Sequence, residues 1–135
     1  MKILSVSDVI TNSSSEVFVI NKKDLEKLSP KIKKEFEIVT KKDFISKLLD
    51  FDLEGVIEVL GYSRLFDGYN HDVIIKLREV YSDEEISNFF YPIIKDIFDI
   101  AFFEEEDDYS YGYEQINLVL NELKDKKVEY KTERV

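Results

Sequence analysis

The residues best suited to chemistry form one acidic, tyrosine-rich segment, Glu104 to Tyr113. It opens with five consecutive carboxylates, Glu104-Glu105-Glu106-Asp107-Asp108, and carboxylate oxygens are the ligands that Ca²⁺ and Mg²⁺ prefer. The segment lacks the alternating acidic spacing and the central glycine of an EF-hand loop. Consecutive carboxylates also cannot all point at one ion. The sequence therefore favours a solvated acidic loop over a metal site, and no cofactor is predicted.

The tyrosines of this segment indicate a different role, which is contact with another molecule. The run Asp107-Asp108-Tyr109-Ser110-Tyr111-Gly112-Tyr113 mixes charge with aromatic rings. Tyrosine is favoured in interfaces because it buries a large area at a low cost in side-chain entropy. We predict a partner-binding surface made of Glu105, Asp107, Asp108, Tyr109 and Tyr111. An idle loop whose tyrosines cover the sheet edge is the open alternative.

Catalytic constellations are missing from the sequence. His71 is the only histidine, and it stands beside Asp72 at the start of a predicted helix. A surface position is therefore favoured over a general base or a metal ligand. The absence of cysteine excludes disulfides, zinc–thiolate sites and thiol nucleophiles. No phosphate-binding glycine loop, metalloprotease helix or nucleophile elbow is present, so the chain is predicted not to be an enzyme.

A second polar segment lies near the N-terminus, between two apolar runs. Thr11, Asn12, Ser13, Ser14 and Ser15 separate Val9-Ile10 from the strand-like run Val17 to Ile20. Hydroxyl and amide side chains of this kind bond to neighbouring backbone groups and favour turns. A well-bonded hairpin loop is the first interpretation. An anion-binding or processed loop is the second.

The residues Val9-Ile10-Thr11-Asn12-Ser13-Ser14-Ser15-Glu16-Val17-Phe18 resemble the N-terminal signature of small uncharacterised proteins of tailed bacteriophages and prophages. Those proteins commonly carry a Thr-Asn-Ser-Ser-Ser run before an apolar strand. The resemblance covers about ten residues. It implies a phage-encoded accessory or virion-associated protein, and it implies no activity for any residue.

Charge is distributed unevenly along the chain. The formal net charge is −10, and residues 49–122 hold nineteen acids against four basic residues. Residues 21–48 instead hold nine lysines against five acids. An acidic balance disfavours contact with a nucleic-acid backbone, because phosphate contacts need a basic surface. It suits a partner protein with a basic surface, while a merely solvated acidic protein is the plainer alternative.

Hydrophobic spacing gives the elements that must position these segments. Strands are predicted at 2–10, 16–20, 37–40, 98–103 and 128–132, and loops at 62–70 and 104–112. Helices are predicted at 22–28, 31–36, 40–49, 53–60, 71–81, 82–97 and 113–126. Asn21, Thr40 and Ser82 are expected as N-caps, Gly61 is expected to close a helix, and Pro92 is expected to kink or end one.

These elements predict a single α+β domain over residues 1–135. A small mixed β-sheet is expected to combine an N-terminal hairpin with a C-terminal βαβ unit, and the middle helices are expected to cover one face of it. We also expect a specific set of buried side chains: Val17, Phe89, Phe90, Ile93, Ile97, Ile116 and Leu120.

The function favoured by these features is a non-enzymatic, phage- or prophage-encoded accessory protein that binds another protein. Inhibition of a host nucleic-acid-handling or defence protein fits its acidic charge. A minor virion or packaged protein is the second class. A small hydrolase or nucleotide-binding enzyme that uses the acidic loop is the third. Met1-Lys2-Ile3-Leu4 is followed at once by polar residues, so no signal peptide is expected, and the expected location is the bacterial cytoplasm or the virion.

Overall fold

A computed structural model of the chain describes residues 15–67, 71–106 and 112–134. The strands are β1 (Ser15–Asn21), β2 (Glu37–Ile38), β3 (Ile100–Glu106) and β4 (Tyr130–Arg134). The α-helices are α1 (Pro30–Lys33), α2 (Lys41–Leu49), α3 (Glu54–Val59), α4 (Ser63–Asp67), α5 (His71–Val80), α6 (Asp83–Ile94) and α7 (Gly112–Asp125). Two 3₁₀ helices, Lys22–Lys27 and Lys95–Asp99, complete the described elements.

The four described strands form one sheet in the order β2-β3-β1-β4, with every neighbouring pair antiparallel. The α+β class is therefore confirmed, whereas the prediction of a mixed sheet was wrong. The helix between β3 and β4 is present, and the two strands do run in the same direction. They are not neighbours, because β1 lies between them and pairs with both. Both edges of β1 are thus occupied by described strands, and the other half of the predicted hairpin, 2–10, lies outside the described residues.

The middle helices α2 to α6 cover one face of this sheet, as expected, and the segment around α1 together with α7 covers the other. Successive strand residues point to opposite faces, and in β1 both sets are buried, Val17 and Val19 on one face and Phe18 and Ile20 on the other. The first face packs against side chains from α2, α3, α5 and α6. The second packs against the segment from Leu28 to Phe36 and against α7. The unbroken apolar run of β1 follows from this double burial.

Helix α6 presents a narrower face to the core than expected. Phe90 and Ile97, the latter just beyond α6, are fully buried, but Phe89 is 57% exposed and Ile93 is 49% exposed. The expected burial of Phe89 and Ile93 was therefore wrong. The physical reason is that the apolar stripe of this helix is wider than the face that its neighbours, chiefly α2, can cover. Of the other residues in that set, Val17 is buried, while Ile116 and Leu120 pack against the second core at partial exposure.

Local signals gave most helix ends correctly. The side chains of Asn21, Thr40 and Ser82 each accept a backbone N–H in the first turn, and Ser82 forms a full capping box with Glu85. Past Pro92, the α-helix continues for two residues and then tightens into the second 3₁₀ helix. The prediction of a loop was wrong over 63–67, which form α4, and over 104–106, which extend β3.

Helices α2, α3 and α7 end in the same way, with a residue in the left-handed conformation. These residues are Phe51, Gly61 and Lys127, with φ of 63°, 82° and 57°. In each case the N–H of the next residue bonds to the carbonyl five residues earlier, at 2.8 to 3.0 Å. This is the Schellman motif, in which glycine is the usual left-handed residue. Of these three helices only α3 ends in glycine, so Phe51 and Lys127 hold a conformation that is unfavourable for their side chains.

Two side-chain contacts tie distant parts of the chain together. Ser29 donates its backbone N–H and its hydroxyl to the two carboxylate oxygens of Glu122, at 2.6 and 2.8 Å, which fixes α1 to α7. The Tyr62 hydroxyl donates to Asp96 Oδ2 at 3.1 Å. Burial, and then this hydrogen bond and the carboxylate charge, raise the pKa of Tyr62 above 10.0.

Candidate functional site

The register of β1 and β3 pairs the two described residues that border the segments singled out by the sequence. Ser15, at the start of β1, pairs directly with Glu106, at the end of β3. The hydroxyl-rich segment 11–14 precedes Ser15, and the acidic segment 107–111 follows Glu106. Both segments are therefore attached to paired residues on neighbouring strands, although they are about ninety residues apart in the chain.

Most of the predicted site residues lie outside the part of the chain that the structure describes. Glu105 is placed by its backbone, in β3 and directly opposite Glu16, and Ser15 is placed in β1. The remaining predicted residues are outside the described ranges: Asp107, Asp108, Tyr109 and Tyr111 of the partner-binding set, and Thr11, Asn12, Ser13 and Ser14 of the motif loop.

The last three rungs of the sheet are rich in acidic residues, and we call this region the acidic sheet end. Its rungs are Ser15–Glu106, Glu105–Glu16–Arg134 and Glu104–Val17–Glu133. Five of these eight residues are glutamate and one is arginine. The described carboxylates of Glu104 and Glu133 are exposed, and Glu16 is partly buried. The region therefore carries a concentrated negative charge even without Asp107 and Asp108.

This arrangement opposes residues of like charge across the ladder. Glu16 and Glu105 are direct register partners on adjacent strands, and like charges directly opposite each other destabilise a sheet. On its other side, the register partner of Glu16 is Arg134, so this rung holds two glutamates and one arginine. The acidic sheet end is therefore poorly optimised for stability. Local departures from good design of this kind tend to occur at functional sites.

A second candidate site, which the sequence did not indicate, is a pocket of about 460 Å³ among the helices that cover the Val17 and Val19 face of the sheet. It lies among α2, α3, α4 and α5. Its walls are mainly apolar, and its polar groups come from Glu54, Glu58, Ser63 and His71. Pockets of this volume with few polar groups are typical of small-molecule sites. We call this cavity the α2–α5 pocket.

The rim of the α2–α5 pocket is shaped by the left-handed residue that ends α2. Phe51 is 62% exposed, and its ring stacks on the ring of His71, with centroids 5.5 Å apart and planes 11° from parallel. This places His71 at the pocket rim, on the surface as expected, with its ring stacked on that of Phe51. Nothing in the sequence marked Phe51, because a large aromatic residue is not a usual helix terminator.

Metal-ligand clusters and membrane-spanning helices are both absent from the described residues. No group of three or more histidine or acidic side chains within them is arranged to hold a metal ion. Across the same residues, no helix combines the length and the apolar character needed to cross a bilayer.

Comparisons with known proteins give no family assignment. The chain matches no protein-family model, and no significant match was found among curated proteins or among solved structures. Function must therefore be inferred from the geometry and charge of this molecule.

Proposed function

We propose that this chain is a phage- or prophage-encoded accessory protein that acts by binding a partner protein with a basic surface. The proposed binding site is the acidic sheet end together with the segment 107–111 that follows it. The phage origin depends on the resemblance of residues 9–18. The single observation that supports the binding site is the pairing of Ser15 with Glu106, because it attaches both selected segments to one end of the sheet.

Electrostatics supports the choice of a basic partner. The acidic sheet end contributes five glutamates and one arginine, and two further aspartates follow directly in the chain. Concentrated charge of one sign steers an oppositely charged partner and raises association rates by about 10- to 1,000-fold at low salt. A protein that normally binds nucleic acid has a basic surface, which an acidic site attracts. Inhibition of such a host protein is therefore the activity that we propose.

The test begins with a pull-down from host lysate and continues with rate measurements on any captured protein. Association should slow as salt rises, since the Debye length falls from about 10 Å at 0.1 M to about 3 Å at 1 M. The triple variant Glu105→Gln, Asp107→Asn, Asp108→Asn should slow association by about tenfold at low salt. Removing Tyr109 and Tyr111 should instead speed dissociation, because aromatic anchors hold a formed complex.

The matched control removes the same number of charges from exposed positions elsewhere on the surface. Its substitutions are Glu26→Gln, Glu79→Gln and Glu129→Gln. Both triple variants change the net charge equally, so a local site predicts a much larger effect for the first. Equal rates for the two variants would mean that net charge alone attracts the partner. Rates that ignore salt and all five positions would remove the acidic sheet end as the binding site.

A further inference from the structure

The α2–α5 pocket has walls and charges that select one class of ligand. Six of its lining side chains are aliphatic or aromatic. Phe51 lies at the rim, and the other five form the interior: Leu48, Leu49, Ile57, Phe66 and Ile74. Ile57 and Ile74 are buried, and the other three are partly buried. Such a surface gains free energy by covering an apolar group and excluding water. A ligand of this pocket should therefore have an apolar body.

The charged groups at the pocket are two carboxylates on one side of α3. Glu54 and Glu58 are four residues apart, so they lie one above the other on the same helix face. Neither carboxylate forms an ion pair or a hydrogen bond with any residue in the described ranges. Like charges at this spacing repel each other, and a bound cation would relieve that repulsion. Among the described residues, the lining contains no lysine or arginine that could attract an anion.

The stacked rings at the rim add a further preference for a cation. Phe51 and His71 stand together at the pocket mouth, and the Phe51 ring is mostly exposed. The face of a phenylalanine ring attracts a cation through its quadrupole. Carboxylates, an exposed aromatic face and apolar walls therefore lie around one cavity.

We infer that the α2–α5 pocket binds a small organic cation with an apolar body, of the arylalkylamine type. The ammonium group lies at the rim, between the carboxylates of Glu54 and Glu58, and the hydrocarbon body enters the cavity towards Ile57 and Ile74. The volume of about 460 Å³ lies within the range of small-molecule sites. The pocket shares no lining residue with the acidic sheet end, so neither proposal depends on the other.

The test uses three probes that share one phenyl ring and differ in charge: 2-phenylethylammonium, 2-phenylethanol and 3-phenylpropionate. Each is titrated into the full chain and followed by NMR at the methyl groups of Ile57 and Ile74. We expect the ammonium probe to bind at least tenfold more tightly than the alcohol, and the carboxylate probe to bind most weakly. Equal binding of the ammonium and the alcohol would overturn the inference, as would shifts that avoid these two methyl groups.

The variant Glu54→Gln, Glu58→Gln should lower the affinity for the ammonium probe about tenfold and leave that for the alcohol unchanged. Both side chains are exposed, so the variant should fold, and an unchanged methyl spectrum without ligand checks this. The control variant Glu26→Gln, Glu79→Gln loses the same charge away from the pocket. An equal loss of affinity in the control would show general attraction to an acidic protein and would refute the site.

Discussion

Replacing each of two neighbouring phenylalanines by alanine tests the orientation of α6. Phe90 is fully buried, with ring contacts to Phe44 and Phe66, whereas Phe89 is 57% exposed. Consecutive helix residues differ in direction by about 100°, so the two rings report different sides of one helix. The two substitutions delete the same atoms and differ only in what surrounds them.

The expected costs follow from burial. Phe90→Ala should cost about 3–5 kcal/mol, because it removes a buried ring and leaves a cavity. Full burial of a phenylalanine side chain contributes about 1.5–3 kcal/mol, and Phe89 retains less than half of that burial. Its loss should therefore cost roughly 1 kcal/mol, and the better helix propensity of alanine offsets part of it. The difference between the two variants should be at least about 2 kcal/mol.

Urea unfolding followed by far-UV circular dichroism measures this difference, since the chain has no tryptophan to serve as a probe. Equal slopes for the two variants would show that the midpoints compare stability alone. Phe89→Ala costing as much as Phe90→Ala would refute this orientation of α6. It would instead support the wider buried stripe that the sequence predicted.

Three further predictions concern helix ends and long-range contacts. Lys127→Gly should stabilise the protein by roughly 0.5–1 kcal/mol, because glycine suits the left-handed end of α7. Phe51→Gly should stabilise it less, since this variant also loses ring stacking worth about 0.5–1.5 kcal/mol. Equal stabilisation by the two variants in thermal melts would show that the stack contributes nothing. Glu122→Gln should cost about 1–3 kcal/mol by weakening two charge-assisted bonds to Ser29, and denaturant titration showing no loss would contradict that contact. The raised pKa of Tyr62 means that folding favours its protonated form, so its contribution to the free energy of unfolding is complete below pH 10 and is lost as pH rises above 10. Tyr62→Phe should lessen the alkaline loss of stability. Parallel profiles of stability against pH for the two proteins would contradict this prediction.

Features of the fold that depend on a few adjacent residues could be predicted from the sequence. The caps at Asn21, Thr40 and Ser82 and the left-handed Gly61 were correct, because each is set by hydrogen bonds within one helical turn. Strand and helix types were also largely correct, because the spacing of apolar residues within each segment indicates the type. The order of the strands could not be predicted, since it depends on which distant segments fit together.

The candidate sites were less accessible to sequence reasoning. The acidic run was evident, but its placement beside the start of β1 depends on the register between Ser15 and Glu106. The continuous apolar run of β1 indicated burial on both faces, but the prediction named a cover, the middle helices, for one face only. The α2–α5 pocket gave no signal, because its rim depends on Phe51 occupying a position where glycine is usual.

Site-specific photo-crosslinking tests directly whether the partner binds at the acidic sheet end. A photo-reactive amino acid is placed at Glu133, which is exposed at that end, or at Glu26, which is exposed next to the opposite end of β1. After irradiation in host lysate, the protein with the probe at Glu133 should form one specific crosslinked product. High salt should abolish that product, and the probe at Glu26 should not form it. The same product from Glu26, or none from Glu133 with a partner bound, would contradict binding at the acidic sheet end.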